Sequence, residues 1–266
     1  MIDKLTTSIK GKNALICGST SGIGKAVSKE FAQMGANVTL FARNEKKLES
    51  VIKSMECSDN QEHRFLVGDF NSPDNIQSVI NNYISNGNTF HILINNSGGP
   101  KGGPIIEAKN EEFLEGFNRH LICNHILSTA VLSGMKSEKY GRIINIISTS
   151  VKQPIQGLGV SNTIRGAVAS WSKTLSFEVS KWGITVNNIL PGFTDTERLS
   201  SLIASKAKSC HKTETEIANN MKNQIPLGRF GKPEETAKAI AFLASPAAGY
   251  INGINLAVDG GRLNCI

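Results

Sequence analysis

Asn13-Ala14-Leu15-Ile16-Cys17, followed at once by Gly18-Ser19-Thr20-Ser21-Gly22-Ile23-Gly24, is the stretch that decides the fold. The first five residues read as a short buried strand. The next seven hold three glycines, which let the backbone turn tightly and approach a ligand closely. Ile23, Val27, Phe31 and Met34 then recur at helical intervals until Gly35 supplies a stop. A strand, a glycine turn and an amphipathic helix in that order aim the helix's free N–H groups and positive dipole end at whatever the turn encloses. That arrangement suits a pyrophosphate. Glycine clusters alone occur in many tight turns, but the strand before and the helix after point to a nucleotide. Residues 18–24 are all candidate cofactor contacts.

Six further apolar runs alternate with helical stretches: NVTLFA (37–42), HRFLV (63–67), HILIN (91–95), RIINIIS (142–148), ITVNNI (184–189) and INLAV (254–258). This spacing predicts repeated βαβ units. Nearly continuous apolar strands joined by helices imply an α/β, doubly wound Rossmann fold, with about seven parallel strands and helices on both faces. No linker, repeat or low-complexity segment interrupts the pattern, so residues 1–266 read as one domain. The polar stretch at about 194–225 is the one irregular region. It follows the C-terminal end of a strand, where open α/β sheets bind ligands, and is the candidate substrate lid.

With 266 residues, 39% of them hydrophobic, the chain can bury a sizeable core. The cysteines (Cys17, Cys57, Cys123, Cys210 and Cys265) are odd in number, scattered and without metal-ligand spacing, so neither a metal site nor a disulfide framework is expected. The N-terminal MIDKLTTSIKGKN has charges where a signal peptide is apolar, and no apolar run approaches the ~20 residues that span a bilayer. A cytoplasmic protein without a membrane partner is expected. The formal charge of +7 comes from lysines spread along the chain, with no basic block or interleaved aromatics, which argues against a nucleic-acid partner. A positive field favours an anionic cofactor or substrate, such as a dinucleotide phosphate or an acyl-phosphopantetheine carrier. A solvated basic surface is equally consistent.

The end of the second strand normally reads the adenosine ribose, a carboxylate there repelling a 2′-phosphate and an arginine favouring it. Here it reads Phe41-Ala42-Arg43-Asn44, with no acid. NADP(H) is favoured over NAD(H), with Arg43 and Asn44 as contacts. The plainer reading of Arg43 is a solvated residue leading into a helix.

At these residues the chain resembles the short-chain dehydrogenase/reductase family, and the resemblance covers nearly all of it. Gly68-Asp69-Phe70 is similar to the family's adenine-contacting segment, and Asn95-Asn96-Ser97-Gly98 to its Asn-Asn-Ala-Gly. Pro191-Gly192-Phe193-Thr194-Asp195-Thr196 resembles the segment that holds the nicotinamide carboxamide, and Tyr250-Ile251-Asn252-Gly253 with Val258-Asp259-Gly260-Gly261 the C-terminal signature. The resemblance adds Asp69, Phe70, Asn95, Ser97, Gly98, Pro191, Gly192, Thr194 and Thr196 to the cofactor contacts. It also implies a homotetramer built through about 110–137, 160–181 and the last strand.

The family's chemistry needs a tyrosine, acidified by a lysine, to exchange a proton while the nicotinamide exchanges a hydride with a carbonyl or alcohol. Ser148 aligns with the family's substrate-orienting serine. Thirteen residues on, the tyrosine position is Ser161 and the lysine position is Arg165, and no one-residue shift restores the pair. His120 stands at the position of the family's helix asparagine. Tyr83, Tyr140 and Tyr250 fall in segments away from the nicotinamide. A serine hydroxyl is far less acidic than a phenol, and arginine stays charged. Arg165 is therefore expected to hold the nicotinamide ribose and an oxyanion rather than to move a proton. Lys152 and His120 are the titratable replacements, each with a plainer reading: Lys152 as a solvated loop lysine, His120 as a packed helix residue. The catalytic candidates are Ser148, Ser161 and Arg165. The expected activity is NADP(H)-dependent interconversion of a carbonyl and an alcohol, similar to that of 3-oxoacyl-carrier-protein reductases, on a small-molecule or acyl-carrier-linked substrate. The alternative is a catalytically inactive NADP(H)-binding sensor or subunit.

Overall fold

In a computed structural model that describes residues 5–58 and 60–265, the apolar runs form seven parallel strands. They are β1 (Asn13–Cys17), β2 (Asn37–Ala42), β3 (Arg64–Val67), β4 (Ile92–Asn95), β5 (Gly141–Ile146), β6 (Ile184–Pro191) and β7 (Asn255–Val258). The first four residues of the charged N-terminal stretch lie outside the described residues. The sheet order is β3-β2-β1-β4-β5-β6-β7, so the winding direction reverses between β1 and β4. That switch point opens a crevice at the carboxyl ends of the strands.

Nine α-helices surround the sheet among the described residues: α1 (Gly22–Gln33), α2 (Glu45–Lys53), α3 (Pro73–Ser85), α4 (Asn110–Phe117), α5 (Cys123–Ser137), α6 (Gly159–Val179), α7 (Glu197–Cys210), α8 (Glu214–Lys222) and α9 (Pro233–Ala244). Strand alternation divides the core in two. Ala14 and Ile16 of β1 face Val27 and Phe31 of α1 and Ile240 of α9. Leu15 and Cys17 face the opposite layer, with Ile80 of α3, Leu127 of α5 and Leu175 of α6. Ile23 and Met34, the outer members of the predicted apolar stripe, pack only partly against the core. Gly35 ends α1 at φ +83°, the left-handed stop expected of it.

Asparagine is rare in a strand covered on both faces, yet one stands at matched register on each of the buried strands β4, β5 and β6, and a fourth, exposed, on the neighbouring β7. Asn95 pairs with Asn145, Asn145 with Asn188, and Asn188 with Asn255. Their amides form a ladder: Asn95 Nδ2 donates to Asn145 Oδ1 at 2.9 Å, Asn145 Nδ2 to Asn188 Oδ1 at 2.9 Å, and Asn188 Nδ2 to Asn255 Oδ1 at 2.8 Å. Slipping any strand by one residue leaves buried amides unpaired, each costing about 1–3 kcal/mol.

The segment at 194–225 is more regular than expected. Within α7, Leu199, Ile203 and Ala207 recur every four residues, and with Ile217 and Met221 of α8 they form a small separate core. Polar residues on the outer faces hid this stripe in the sequence. Thr196 caps α7 by accepting from Leu199 N, and Thr213 with Glu216 forms a capping box on α8. The fifth strand is shorter than the run 142–148: it stops at Ile146, and Ser148 begins a 3-10 turn at Thr149–Val151.

Asn145→Ala removes three buried side-chain hydrogen bonds at once, to Asn95, Asn188 and Ser172. We expect a loss of about 2–5 kcal/mol in urea unfolding with little change in m-value, against about 0.5 kcal/mol for an exposed control such as Asn219→Ala.

Candidate active site

A cavity of about 570 Å³ opens at the switch point. One end is the glycine turn. Gly18, Thr20, Ser21, Gly22 and Ile23 line it, and Ser21 stands at the N-cap of α1 with its hydroxyl uncommitted to the helix. No side chain caps α1 there, so its first-turn N–H groups face the cavity as a donor set for an anion. Gly18 has φ +58°, and a Cβ on it would meet Asn96 Nδ2 at 2.7 Å; a Cβ on Gly24 would lie 2.2 Å from Gly18 O. Asn96 Nδ2 donates to Cys17 O and Gly18 O, tying β4 to the turn. These residues fit a dinucleotide pyrophosphate, and the glycines leave the space it needs.

Arg43, Asp69 and Phe70 line the same end, and Ser97, Gly98, Pro191, Gly192, Thr194 and Thr196 line the middle. Four expected contacts stand behind the wall instead. Ser19 is fully buried, its Oγ accepting from Phe41 N. Gly24 packs on the Gly18 carbonyl. Asn44 caps α2 by accepting from Lys47 N, and Asn95 belongs to the amide ladder. In each case the side chain is committed to the scaffold that shapes the turn, with Asn96 lining the cavity in place of Asn95.

The far end brings Ser148, Ser161 and Arg165 together with Ile155, Leu158 and Phe193. Ser148 Oγ accepts from Ser150 N at 3.1 Å, which leaves its own O–H free to donate. Arg165, on α6, is buried; its Nη1 donates to Ile146 O at 3.0 Å and its Nε has no partner. Burial, then the charge of Arg198, lowers its pKa to about 10, so it stays protonated at neutral pH.

No tyrosine, lysine or histidine is among the described residues lining the cavity. Tyr83 stacks on Phe90, Tyr140 Oη donates to Ala244 O at 2.6 Å, and Tyr250 is fully exposed. Lys152 is exposed and outside the wall, in keeping with its plainer reading as a solvated loop lysine. His120 is buried behind Ser97, with 2.7 Å between its Nδ1 and Ser97 Oγ, on a one-turn π-helix (Asn118–Ile122) between α4 and α5. Burial, then the charges of Arg165 and Arg119, holds its pKa well below the ordinary value. The imidazole is neutral and reaches the cavity only through Ser97.

Three lining arginines, Arg119, Arg198 and Arg262, escape a sequence reading. Arg198 comes from the first turn of α7, with Nη2 donating to Pro100 O at 2.8 Å. Arg262 comes from beyond β7, with its guanidinium over the Phe193 ring at 4.2 Å. Arg119 spans from the π-helix to Asn71 and Gly98 O. Only the net positive charge hinted at them.

A parallel sheet with a glycine turn at its switch point defines a dinucleotide-binding α/β protein. The profile of a family described as enoyl-(acyl carrier protein) reductase matches residues 18–262. The 3-oxoacyl-(acyl-carrier-protein) reductase FabG of Chlamydia trachomatis is 32% identical over 254 residues, 94% of this chain and 96% of that protein. The L-sorbose reductase of Gluconobacter frateurii, solved with NADPH and L-sorbose, superposes with a TM-score of 0.91 at 30% identity, covering 98% of this chain and 99% of that one. YwfH, an NADPH-dependent reductase involved in bacilysin biosynthesis, also gives a TM-score of 0.91, at 27% identity over 97% of this chain and 100% of that one. The chain belongs to the short-chain dehydrogenase/reductase family of oxidoreductases.

His120 gives a pH test. Its folded pKa is depressed, so the unfolded chain takes up the proton first, and stability present above about pH 6.5 is lost as the pH falls. One such group costs about 1.4 kcal/mol per pH unit. His91 shifts in the same direction, so the comparison is with a variant. Between pH 6.5 and 5, His120→Asn is expected to lose up to about 2 kcal/mol less than the parent in urea titrations. Equal losses would place the His120 ring in water.

Proposed function

We propose that the protein is an NADP(H)-dependent oxidoreductase acting on a carbonyl or alcohol, with Ser148 and Arg165 holding the substrate oxygen. The observation that carries this reading is the single cavity joining the glycine turn and Arg43 to Ser148, Ser161 and Arg165. The fit of the turn to a pyrophosphate and the relatives' NADPH support the cofactor. Bound there, NADP(H) supplies or accepts the hydride.

The Gly22 and Ile23 backbone and Ser21 hold the phosphates, and Arg43, with no acid beside it, favours a 2′-phosphate. Thr194 and Thr196, on the loop that leads into the lid, orient the nicotinamide end. Ser148 directs its O–H at the substrate oxygen, and Arg165, fixed by its bond to Ile146 O, presents its remaining N–H groups to the same oxygen. A fixed cation stabilises developing negative charge without giving up a proton. The proton then reaches the oxygen from water or across the Ser148 and Ser161 hydroxyls, since no phenol, ammonium or imidazole is among the described residues lining the cavity. Acyl-carrier-linked substrates fit the resemblance to 3-oxoacyl-carrier-protein reductases. No described helix is long and apolar enough to cross a membrane, which is compatible with the expected cytoplasmic location. Exposed Leu114, Phe117, Ile122 and Phe177 on the segments expected at the interfaces support a homotetramer.

The second reading, a cofactor-binding sensor or subunit without turnover, is favoured by the absence of any tyrosine, lysine or histidine among the described lining residues. A screen of ketones, aldehydes and alcohols at saturating NADPH or NADP decides between them. Turnover that falls at least about tenfold in Ser148→Ala supports the enzyme. Micromolar NADPH binding with no turnover on any substrate supports the sensor. In either case, Arg43→Ala is expected to weaken NADPH by about tenfold, or 1.4 kcal/mol, and NADH by less than about twofold.

A further inference from the structure

The substrate end of the cavity is over-supplied with positive charge. Arg165 is 8% exposed and has no carboxylate partner. The ion pairs among the described residues are Arg64–Glu62, Arg119–Glu115, Arg229–Glu235 and Lys238–Glu30, and none involves Arg165, Arg198 or Arg262. Of the two acids among the described residues lining the cavity, Asp69 follows β3 at the adenine end and accepts from Asn71 N, and Glu197 is an exposed residue in the first turn of α7. A buried guanidinium without a counter-charge is costly, and a second cation nearby adds to the cost.

Two of these arginines converge on one point. A side-chain carbon on Gly99 would stand 3.6 Å from Arg198 Nη2 and 3.7 Å from Arg165 Nη2. Glycine at 99 keeps this space between the guanidinium groups open. Arg198 also lies in the first turn of α7, where a cation opposes the helix dipole, so helix stability does not account for it. The unpartnered Arg165 Nε is a further buried donor. Ribose hydroxyls can take hydrogen bonds from Arg165 but bring no charge to offset it.

We propose that this end of the cavity binds a substrate carboxylate between Arg165 and Arg198, which makes the substrate an oxo or hydroxy acid rather than an acyl-carrier thioester. The carboxylate supplies two acceptors in one plane, matched to guanidinium forks. Arg198 rides on the lid, so the carboxylate also draws α7 towards Gly99 and the substrate-orienting serine. This assignment rests on the oxidoreductase reading for the word substrate, but the anion site itself is testable without turnover.

The test titrates NADPH-loaded protein with benzoylformate and 2-oxoglutarate, each alongside its methyl ester, by calorimetry, and follows NADPH oxidation with the same compounds. We expect each acid to bind at least about tenfold more tightly than its ester, and Arg198→Ala to remove most of that difference. Arg198→Lys is expected to recover part of it. NADPH affinity, measured on each variant, reports whether the variant is folded. Acids that bind selectively without being reduced support the anion site and count against the enzyme reading. Esters or neutral ketones that bind and turn over as well as acids overturn the anion site and leave the enzyme reading standing. Failure of all acids to bind the NADPH complex also overturns it.

Discussion

The amide ladder across β4, β5, β6 and β7 is the constraint on which the rest of the site depends. Three buried asparagines and the exposed Asn255 pair their amides in sequence only at a single register. That register sets how far each strand runs before its loop begins, and therefore places Ser97, Ser148 and Pro191 around one rim. An all-apolar interior would hold the strands together with much the same hydrophobic energy, since aliphatic side chains tolerate a slip better than amides do. The ladder converts a generic parallel sheet into one with a defined active rim. On β4 it consumes Asn95, which leaves the neighbouring Asn96 to clamp the glycine turn.

On that rim the two halves of the site differ in character. The glycine turn of the cofactor half consists of backbone and small residues, and a single added carbon at Gly18 or Gly24 would collide with neighbouring atoms. The substrate half substitutes fixed charge for a titratable pair. A phenol with a nearby ammonium both stabilises an alkoxide and gives it a proton, whereas a guanidinium such as that of Arg165 has the chemistry for only the first. In the proposed mechanism Ser148 and Ser161 add hydroxyls to relay protons, groups that do not ionise near neutrality. His120, the remaining titratable group nearby, is kept neutral behind Ser97 by burial and by Arg165 itself.

Much of this was legible in the sequence where the signal was local. The seven strands, the glycine turn, the Gly35 stop and the loss of the tyrosine and lysine all follow from short stretches read in order. Ser19 and Asn44 were misplaced because composition does not say which side of a turn a side chain takes, and both became scaffold hydrogen bonds. The segment at 194–225 read as irregular because its apolar stripe is narrow, five residues facing only each other and a few neighbours. The arginine cluster was invisible for a different reason. Arg198 meets Pro100 across 98 positions and Arg262 meets Thr149 across 113, distances at which no periodicity reports contact.

The central claim is that the reacting oxygen faces a permanent cation and no titrating acid. The dependence of kcat on pH tests it most directly, measured at saturating NADPH with whichever carbonyl substrate turns over. Every candidate at the site titrates outside the range 6.5–9: His120 well below it and Arg165 near 10. A kcat level within about twofold across that range agrees with the account, because such profiles report the pKa values of the essential groups in the complex. A clear break between pH 7 and 9 would contradict it and show that a titrating side chain reaches the substrate oxygen after all.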